Sequence, residues 1–268
     1  MISCHDGRVL TRFAPTPSGY LHLGNAVNAV LVSRLAGQSE GRVGLRIDDI
    51  DAARARGEYV DDIHELLDWL GIEVAESWSQ SDRRDRYREV VDAATGLLTY
   101  ACGCSRRELT GPATGGCPGG CRAADLALRP GRTALRVVIP EGTAVEVDDV
   151  SVRLDLVMGD FVVWRRDDLP AYQLASVVDD VDLGMTHIVR GVDLLESTAA
   201  QRFLARGLGL DTFASLTFLH HGLVTHPDGT KLSKSQVERG RPLPRTDEMR
   251  TLISDMADEL GAPLGITG

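Results

Sequence analysis

The chain has 268 residues, 25% charged and 43% apolar, enough for one large domain or two smaller ones with substantial cores. A formal net charge of -10 argues against a protein that coats nucleic acid electrostatically, because phosphate neutralisation needs local positive charge. No run of about 18 apolar residues is present to span a bilayer, and the start, "MISCHDGRVL", has no signal-peptide pattern, so the expectation is a cytoplasmic protein with neither membrane nor DNA as partner.

In chain order, "GRVLTRFAPTPSGYLHLGNAVNAVLVSRLAG" predicts a short strand, a Pro/Gly-rich turn and a helix that begins near His22. "RVGLRIDD" predicts a buried strand ending in carboxylates, and "YVDDIHELLDWLGI" a helix that stops at a glycine. "SDRRDRYRE" (81–89) interleaves four arginines with acids and reads as a solvated helix face with i,i+4 ion pairs. Residues 100–121 are rich in cysteine and glycine, and "TALRVVIP" and "AVEVDDVSVRLDLV" predict antiparallel strands. The strand–helix rhythm then returns, with "LPAYQLASVVDDVDLG" as helix, "MTHIVRG" as strand and "LESTAAQRFLARGLGL" as helix. "TDEMRTLISDMADELG" predicts one more helix in the 32 residues after Gln236. The expected fold is α/β, a doubly wound parallel sheet interrupted by a smaller insertion. Its halves are placed at 1–95 and 166–225, the insertion at 96–165 and a loop and helical tail at 226–268.

Three stretches carry chemistry. "PSGYLHLGN" (17–25) places His22, Gly24 and Asn25 where a strand hands over to a helix, at the sheet edge where ligands bind. Helix N-terminal N–H groups favour phosphate, and an ordinary capped turn is the alternative reading. "GTKLSKSQ" holds Lys231, Ser233 and Lys234; these two lysines stand against 27 arginines in the whole chain. A compact charge on a flexible stem suits a loop that must follow developing phosphate charge. "CGCSRRELTGPATGGCPGGC" places Cys102, Cys104, Cys117 and Cys121 as C-x-C-x₁₂-C-x₃-C, two close pairs able to close around a tetrahedral Zn²⁺. Disulfides are the alternative, which a cytoplasmic protein seldom keeps. Cys4 is left over.

"HLGN" and "KLSKS" resemble the two signature motifs of class I aminoacyl-tRNA synthetases. "TRFAPTPSGYLHLGNA", "LRIDDIDAAR", "DLPAYQLASVVDD" and "THIVRGVDLLESTAAQ" sharpen the resemblance to the glutamyl-tRNA synthetase catalytic domain over residues 8–236. Within that family the chain is most similar to the short paralogues that lack an anticodon-binding domain and glutamylate queuosine of tRNA(Asp). The 32 residues after Gln236 are accordingly expected to hold no such domain. The resemblance implies a Rossmann-type fold, ATP with Mg²⁺ and L-glutamate as substrates, tRNA(Asp) as partner and a structural zinc in the acceptor-binding-like insertion.

The resemblance also assigns roles. His22 and Lys234 are the catalytic pair, with Gly24, Asn25, Lys231 and Ser233 at the nucleotide. Arg12, Ala14, Thr16, Asp48, Tyr172 and Arg190 line the glutamate pocket. Arg190 favours glutamate, since glutamine-specific relatives carry a neutral residue there. Asp48 departs from the family's usual glutamate and retracts the carboxylate by one methylene. Asp51 matches the motif's last acid and orients the loop, with a solvated turn residue as the plainer reading for it and for Asp49. Two other acceptor readings stand beside the leading one. They are conventional glutamylation of a tRNA 3′ end, and a tRNA-independent adenylate-forming ligase acting on a small molecule or carrier protein.

Overall fold

The computed structural model describes residues 8–51, 55–105, 108–109, 117, 120–224 and 240–268. Two compact units emerge. One holds residues up to Asp82, Gly184–Asp193 and Leu216 onward; the other holds Arg83–Leu183 and Leu194–Ser215. Among the described residues no helix is long and apolar enough to cross a membrane.

The first unit opens with β1 (Leu10–Phe13), α1 (Leu23–Gln38), β2 (Arg42–Ile47), α2 (Gly57–Leu70) and β3 (Glu76–Ser79). The three strands pair in parallel in the order β1-β2-β3. Helix α1 is apolar around most of its circumference and buries Ala26, Val27, Ala29, Leu31, Val32 and Ala36, as a helix covered on both sides must. Helix α2 stops where expected, at Gly71, whose φ of 72° is the left-handed conformation that glycine adopts without cost.

The second unit follows with α3 (Arg84–Ala93), β4 (Thr99–Cys102), β5 (Ala134–Val137), β6 (Ala144–Val147), β7 (Val150–Arg153), α4 (Leu154–Val157), β8 (Phe161–Trp164) and α5 (Tyr172–Asp182). Strands β4-β5-β8 form an antiparallel sheet and β6-β7 a hairpin. The expected run of strand through "LDLV" gives way to the single helical turn α4. Asp155, in that turn, accepts the Gly142 N–H at 2.9 Å and Arg153 Nε at 2.9 Å, local bonds that favour a turn over further pairing.

The arginine-rich stretch differs from its solvated reading. Arg88 and Asp92 do form the i,i+4 pair. Arg83 and Arg86, however, reach α5. Arg83 Nε donates to the fully buried Asp179 at 2.7 Å, and Asp182 accepts from Arg83 and from Arg86 Nε at 2.8 Å. The buried Tyr87 hydroxyl donates to Asp179 at 2.9 Å. Spacing along one helix could not reveal partners supplied by a helix some 90 residues away.

The chain then returns to the first unit with β9 (His187–Gly191), enters the second for α6 (Leu195–Gly207), and ends in the first with β10 (Thr217–His221) and α7 (Asp247–Gly261). Strands β9 and β10 are parallel. The Thr186 N–H donates to the Leu10 carbonyl at 2.8 Å and Leu10 N–H to the Thr186 hydroxyl at 2.8 Å, which lays the start of β9 beside the start of β1. Phe13, Leu31, Leu45, Ile63, Leu66, Val189, Ile253 and Ala257 share one buried cluster. Each fully buried aliphatic side chain of that size contributes about 1.5–3 kcal/mol.

The parallel α/β architecture expected from the sequence is thus the architecture observed. Its value to function is positional: the carboxyl ends of neighbouring parallel strands open at one edge.

Candidate functional site

Arg12 is the third of the four β1 residues and is 5% exposed; Arg190 is the fourth of five in β9 and is 4% exposed. Ala14 and Thr16 lie in the turn that leaves β1, with Thr16 exposed and its carbonyl accepting the Ser18 N–H at 2.9 Å. Asp48 follows β2 directly, and its N–H donates to the Pro15 carbonyl at 3.0 Å, tying this turn to the end of β2. These residues therefore gather at the carboxyl edge of adjoining strands, the position at which open α/β sheets bind ligands.

A buried guanidinium holds the Asp48 carboxylate. Arg46 Nε donates to Oδ1 at 2.6 Å and Nη2 to Oδ2 at 3.2 Å, a two-point pairing. Arg46 is 1% exposed, and the sequence reading passed over it. A signal was available: residues i and i+2 of a strand share a face, so an arginine in a buried strand two positions before an aspartate has a ready partner. Asp49, read as a solvated turn residue, instead accepts the Ser81 N–H at 2.9 Å and the Ser81 hydroxyl at 2.8 Å. The Asp51 carbonyl accepts the Ala55 N–H at 3.2 Å.

The Arg190 guanidinium lies 4.6 Å from the centre of the Phe218 ring on β10. An aromatic face stabilises a cation.

His22 is the N-cap of α1, with extended backbone angles. Asn25 Oδ1 accepts the His22 N–H at 3.1 Å, and the Asn25 and Ala26 N–H groups turn back to the His22 carbonyl. Gly24 fits the imidazole. A Cβ built there meets His22 Cε1 at 3.1 Å, so a larger residue would displace the ring. The expected grouping of His22, Gly24 and Asn25 at a helix start is thus present, with Asn25 serving as the capping side chain.

Two further side chains brace this region. Asp62 on α2, 2% exposed, accepts the Leu21 N–H. His221, at the end of β10 and 5% exposed, has Nδ1 2.7 Å from the Gly222 carbonyl and Nε2 3.2 Å from the Asn28 side-chain amide. Burial pushes its pKa down. The Leu21 partner of Asp62 and the Asn28 partner of His221 lie far away in sequence, and no local pattern marks them.

Tyr172 is the first residue of α5 in the second unit and is 42% exposed. The adjacent Gln173 Nε2 donates to Ser197 Oγ at 3.2 Å. Lys231, Ser233, Lys234 and Cys4 lie outside the described residues.

Cys102, Cys104, Cys117 and Cys121 converge in the second unit, all four sulfurs within 4.8 Å of one another. Cys104 Sγ is 3.3 Å from Cys117 Sγ and 3.7 Å from Cys121 Sγ. Tetrahedral coordination with Zn–S bonds of about 2.3 Å needs S···S separations of about 3.8 Å, so the donor set fits such an ion. The Cys117 contact, followed by burial, pushes Cys104 up to about 12. Arg166 Nη2 donates to the carbonyls of Gly103 and Cys104 at 3.0 and 2.8 Å, fixing the turn between the first two thiols.

Below the thiols the Tyr100 hydroxyl donates to the buried Asp160 at 2.8 Å, and Arg122 Nε donates to the same carboxylate at 2.7 Å. Burial alone would raise Asp160, but Arg122 and the Ile139 N–H hold its pKa below the usual carboxylate value. Tyr100 is pushed up, first by burial and then by that bond.

Residues 8–112 and 123–248 match the family of class I tRNA synthetases (E and Q), catalytic domain. The chain is 42% identical to a glutamyl-Q tRNA(Asp) synthetase of Pseudomonas syringae pv. syringae over 94% of this chain and 85% of that protein. It is also 42% identical to one of Verminephrobacter eiseniae, over 93% and 89% of the two chains. The crystal structure of glutamate-tRNA synthetase from Elizabethkingia anophelis superimposes with a TM-score of 0.74 at 27% identity, covering 85% of this chain and 52% of that one. The chain thus spans about half the length of that solved synthetase.

Proposed function

Because this chain belongs to the class I tRNA synthetase (E and Q) catalytic-domain family, we propose that it is a ligase that activates L-glutamate with ATP and transfers it to queuosine of tRNA(Asp). The observation that carries the reading is the buried arginine-rich edge formed by Arg12, Arg46–Asp48 and Arg190 in the unit whose α1 begins at His22. The 42% identity to glutamyl-Q tRNA(Asp) synthetases over nearly the whole chain supports the choice of acceptor. Such a protein works in the cytoplasm, where its tRNA is.

In the first step an oxygen of the glutamate α-carboxylate attacks the α-phosphorus of ATP in line, and pyrophosphate departs. This chemistry needs positioning and charge neutralisation more than a covalent nucleophile. Arg190 and Arg12 hold carboxylate oxygens. Asp48, fixed by Arg46, accepts the α-ammonium, and Ala14 and Thr16 line the pocket wall. His22, Gly24, Asn25 and the first turn of α1 take the phosphates together with Lys231, Ser233 and Lys234. Bound Mg²⁺ neutralises phosphate charge. In the second step a queuosine hydroxyl takes the acyl group and AMP leaves.

Pyrophosphate exchange with each amino acid, with and without tRNA, tests the first step; glutamate-dependent exchange without tRNA is expected. Labelled glutamate should then appear on queuosine-containing tRNA(Asp) and not on its unmodified transcript. Label at the 3′ end would assign conventional charging instead, and exchange with a different amino acid alone would assign another adenylate-forming ligase.

The four cysteines are read as a structural Zn²⁺ site in an acceptor-binding-like insertion over residues 96–165. Four thiolates leave no open coordination position, so the metal stabilises rather than reacts. Metal analysis should find one equivalent of zinc, and Cys104→Ser should lose it. Removing the ion should lower Tm by on the order of 10 °C, since each kcal/mol lost is worth about 2–4 °C in a domain of this size. Metal-free protein with an unchanged melting curve would reject the assignment.

A further inference from the structure

Asp62 and Arg245 form a buried clasp immediately behind the start of α1. Asp62 Oδ2 accepts the Leu21 N–H at 3.0 Å, and Leu21 precedes the N-cap residue His22. Asp62 Oδ1 accepts Arg245 Nη2 at 2.6 Å, while Arg245 Nη1 donates to the Leu243 carbonyl at 2.6 Å. The Arg245 guanidinium also faces the Trp69 ring at 5.9 Å. The side chains of Asp62 and Arg245 are 2% and 22% exposed, so water screens the pair weakly.

This arrangement poses an electrostatic problem with one evident solution. A helix start that receives phosphates benefits from its own free N–H groups and dipole. A bare carboxylate bonded to the peptide next to that start would oppose an anion through a low-dielectric interior. Yet the carboxylate is needed, because without an acceptor the buried Leu21 N–H would be left without a bond. Arg245 removes the conflict by cancelling the charge and leaving the hydrogen bond in place.

We infer that Asp62 and Arg245 are a positioning pair for the nucleotide: Asp62 fixes the Tyr20–Leu21 peptide that leads into His22, and Arg245 neutralises Asp62 so that the helix start accepts phosphate. The inference rests on the nucleotide half of the function proposed above. Neither residue touches the substrate.

The test reads ATP affinity from the ATP-dependent rise in Tm, with no amino acid or tRNA present. Arg245→Gln should weaken ATP binding about tenfold, the scale expected when a binding group is displaced or opposed at close range. The double variant Asp62→Asn, Arg245→Gln should recover most of that loss, because the asparagine oxygen still accepts the Leu21 N–H while the stranded charge is gone. Arg245→Lys, which keeps the charge, should bind ATP nearly as wild type does and serves if the glutamine variant does not fold.

A purely structural pair predicts the opposite order, with the double variant at least as impaired as either single one. That order, an Arg245→Gln variant with unchanged ATP affinity, or an Arg245→Lys variant as weak as the glutamine one, overturns the inference. Wild-type protein whose Tm does not respond to ATP would instead sink the nucleotide reading on which it stands.

Discussion

Replacing Lys234 by alanine should lower glutamate-dependent pyrophosphate exchange by about 10²–10³-fold, the usual cost of deleting one group aimed at transition-state charge. The reasoning starts from composition. A chain with 27 arginines places both its lysines in "KLSKS", where an ammonium on a flexible stem can follow negative charge from the α-phosphate to the departing pyrophosphate. That charge is greatest in the transition state, so the loss should fall mainly on kcat, with the KM for ATP little changed. Lys234→Arg should recover only part of the rate, because a planar fork does not present charge as a compact ammonium does. Exchange by Lys234→Ala at the wild-type rate would remove Lys234 from the mechanism.

Arg190→Gln should reduce kcat/KM for glutamate by about 10²–10³-fold, corresponding to about 3–4 kcal/mol for a buried charge-assisted pair that loses one partner. Arg190 is nearly inaccessible and its guanidinium rests against Phe218, so little of its interaction with a bound carboxylate is dissipated in solvent. A neutral amide at this position no longer rewards a side-chain carboxylate over a carboxamide. The ratio of exchange with glutamate to exchange with glutamine should therefore fall along with the absolute rate. Thermal melting separates this effect from damage to β9. A folded variant that retains full preference for glutamate would show that selectivity is set elsewhere, with Arg12 the next candidate.

Much of the fold was legible because its signals are local. The start of α1 near His22, the stop of α2 at Gly71, the β6–β7 hairpin and the strand β9 all follow from periodicity and capping within short windows. The elements that went unnamed in the sequence reading were β3, β4, β8 and β10, strands of four or five residues whose pairing partners, rather than their own pattern, define them. Arg83 and Arg86 were misread for the same reason. A helix that carries Arg, Asp and Glu looks self-sufficient until α5 supplies the buried Asp179 and the partly buried Asp182.

The amino-acid sequence by itself determined the parallel α/β class, the family through its ordered motifs, and the cysteine spacing able to hold an ion. Each depends on residues near one another along the chain or on a pattern repeated at fixed intervals. Only the tertiary structure decided that Arg46 grips Asp48, that Phe218 backs Arg190, and that Asp62, bonded to Leu21, meets Arg245 across 183 positions. These are contacts between buried charges, and burial is created by packing: until the sheet and its helices exclude water, none of these groups needs a partner.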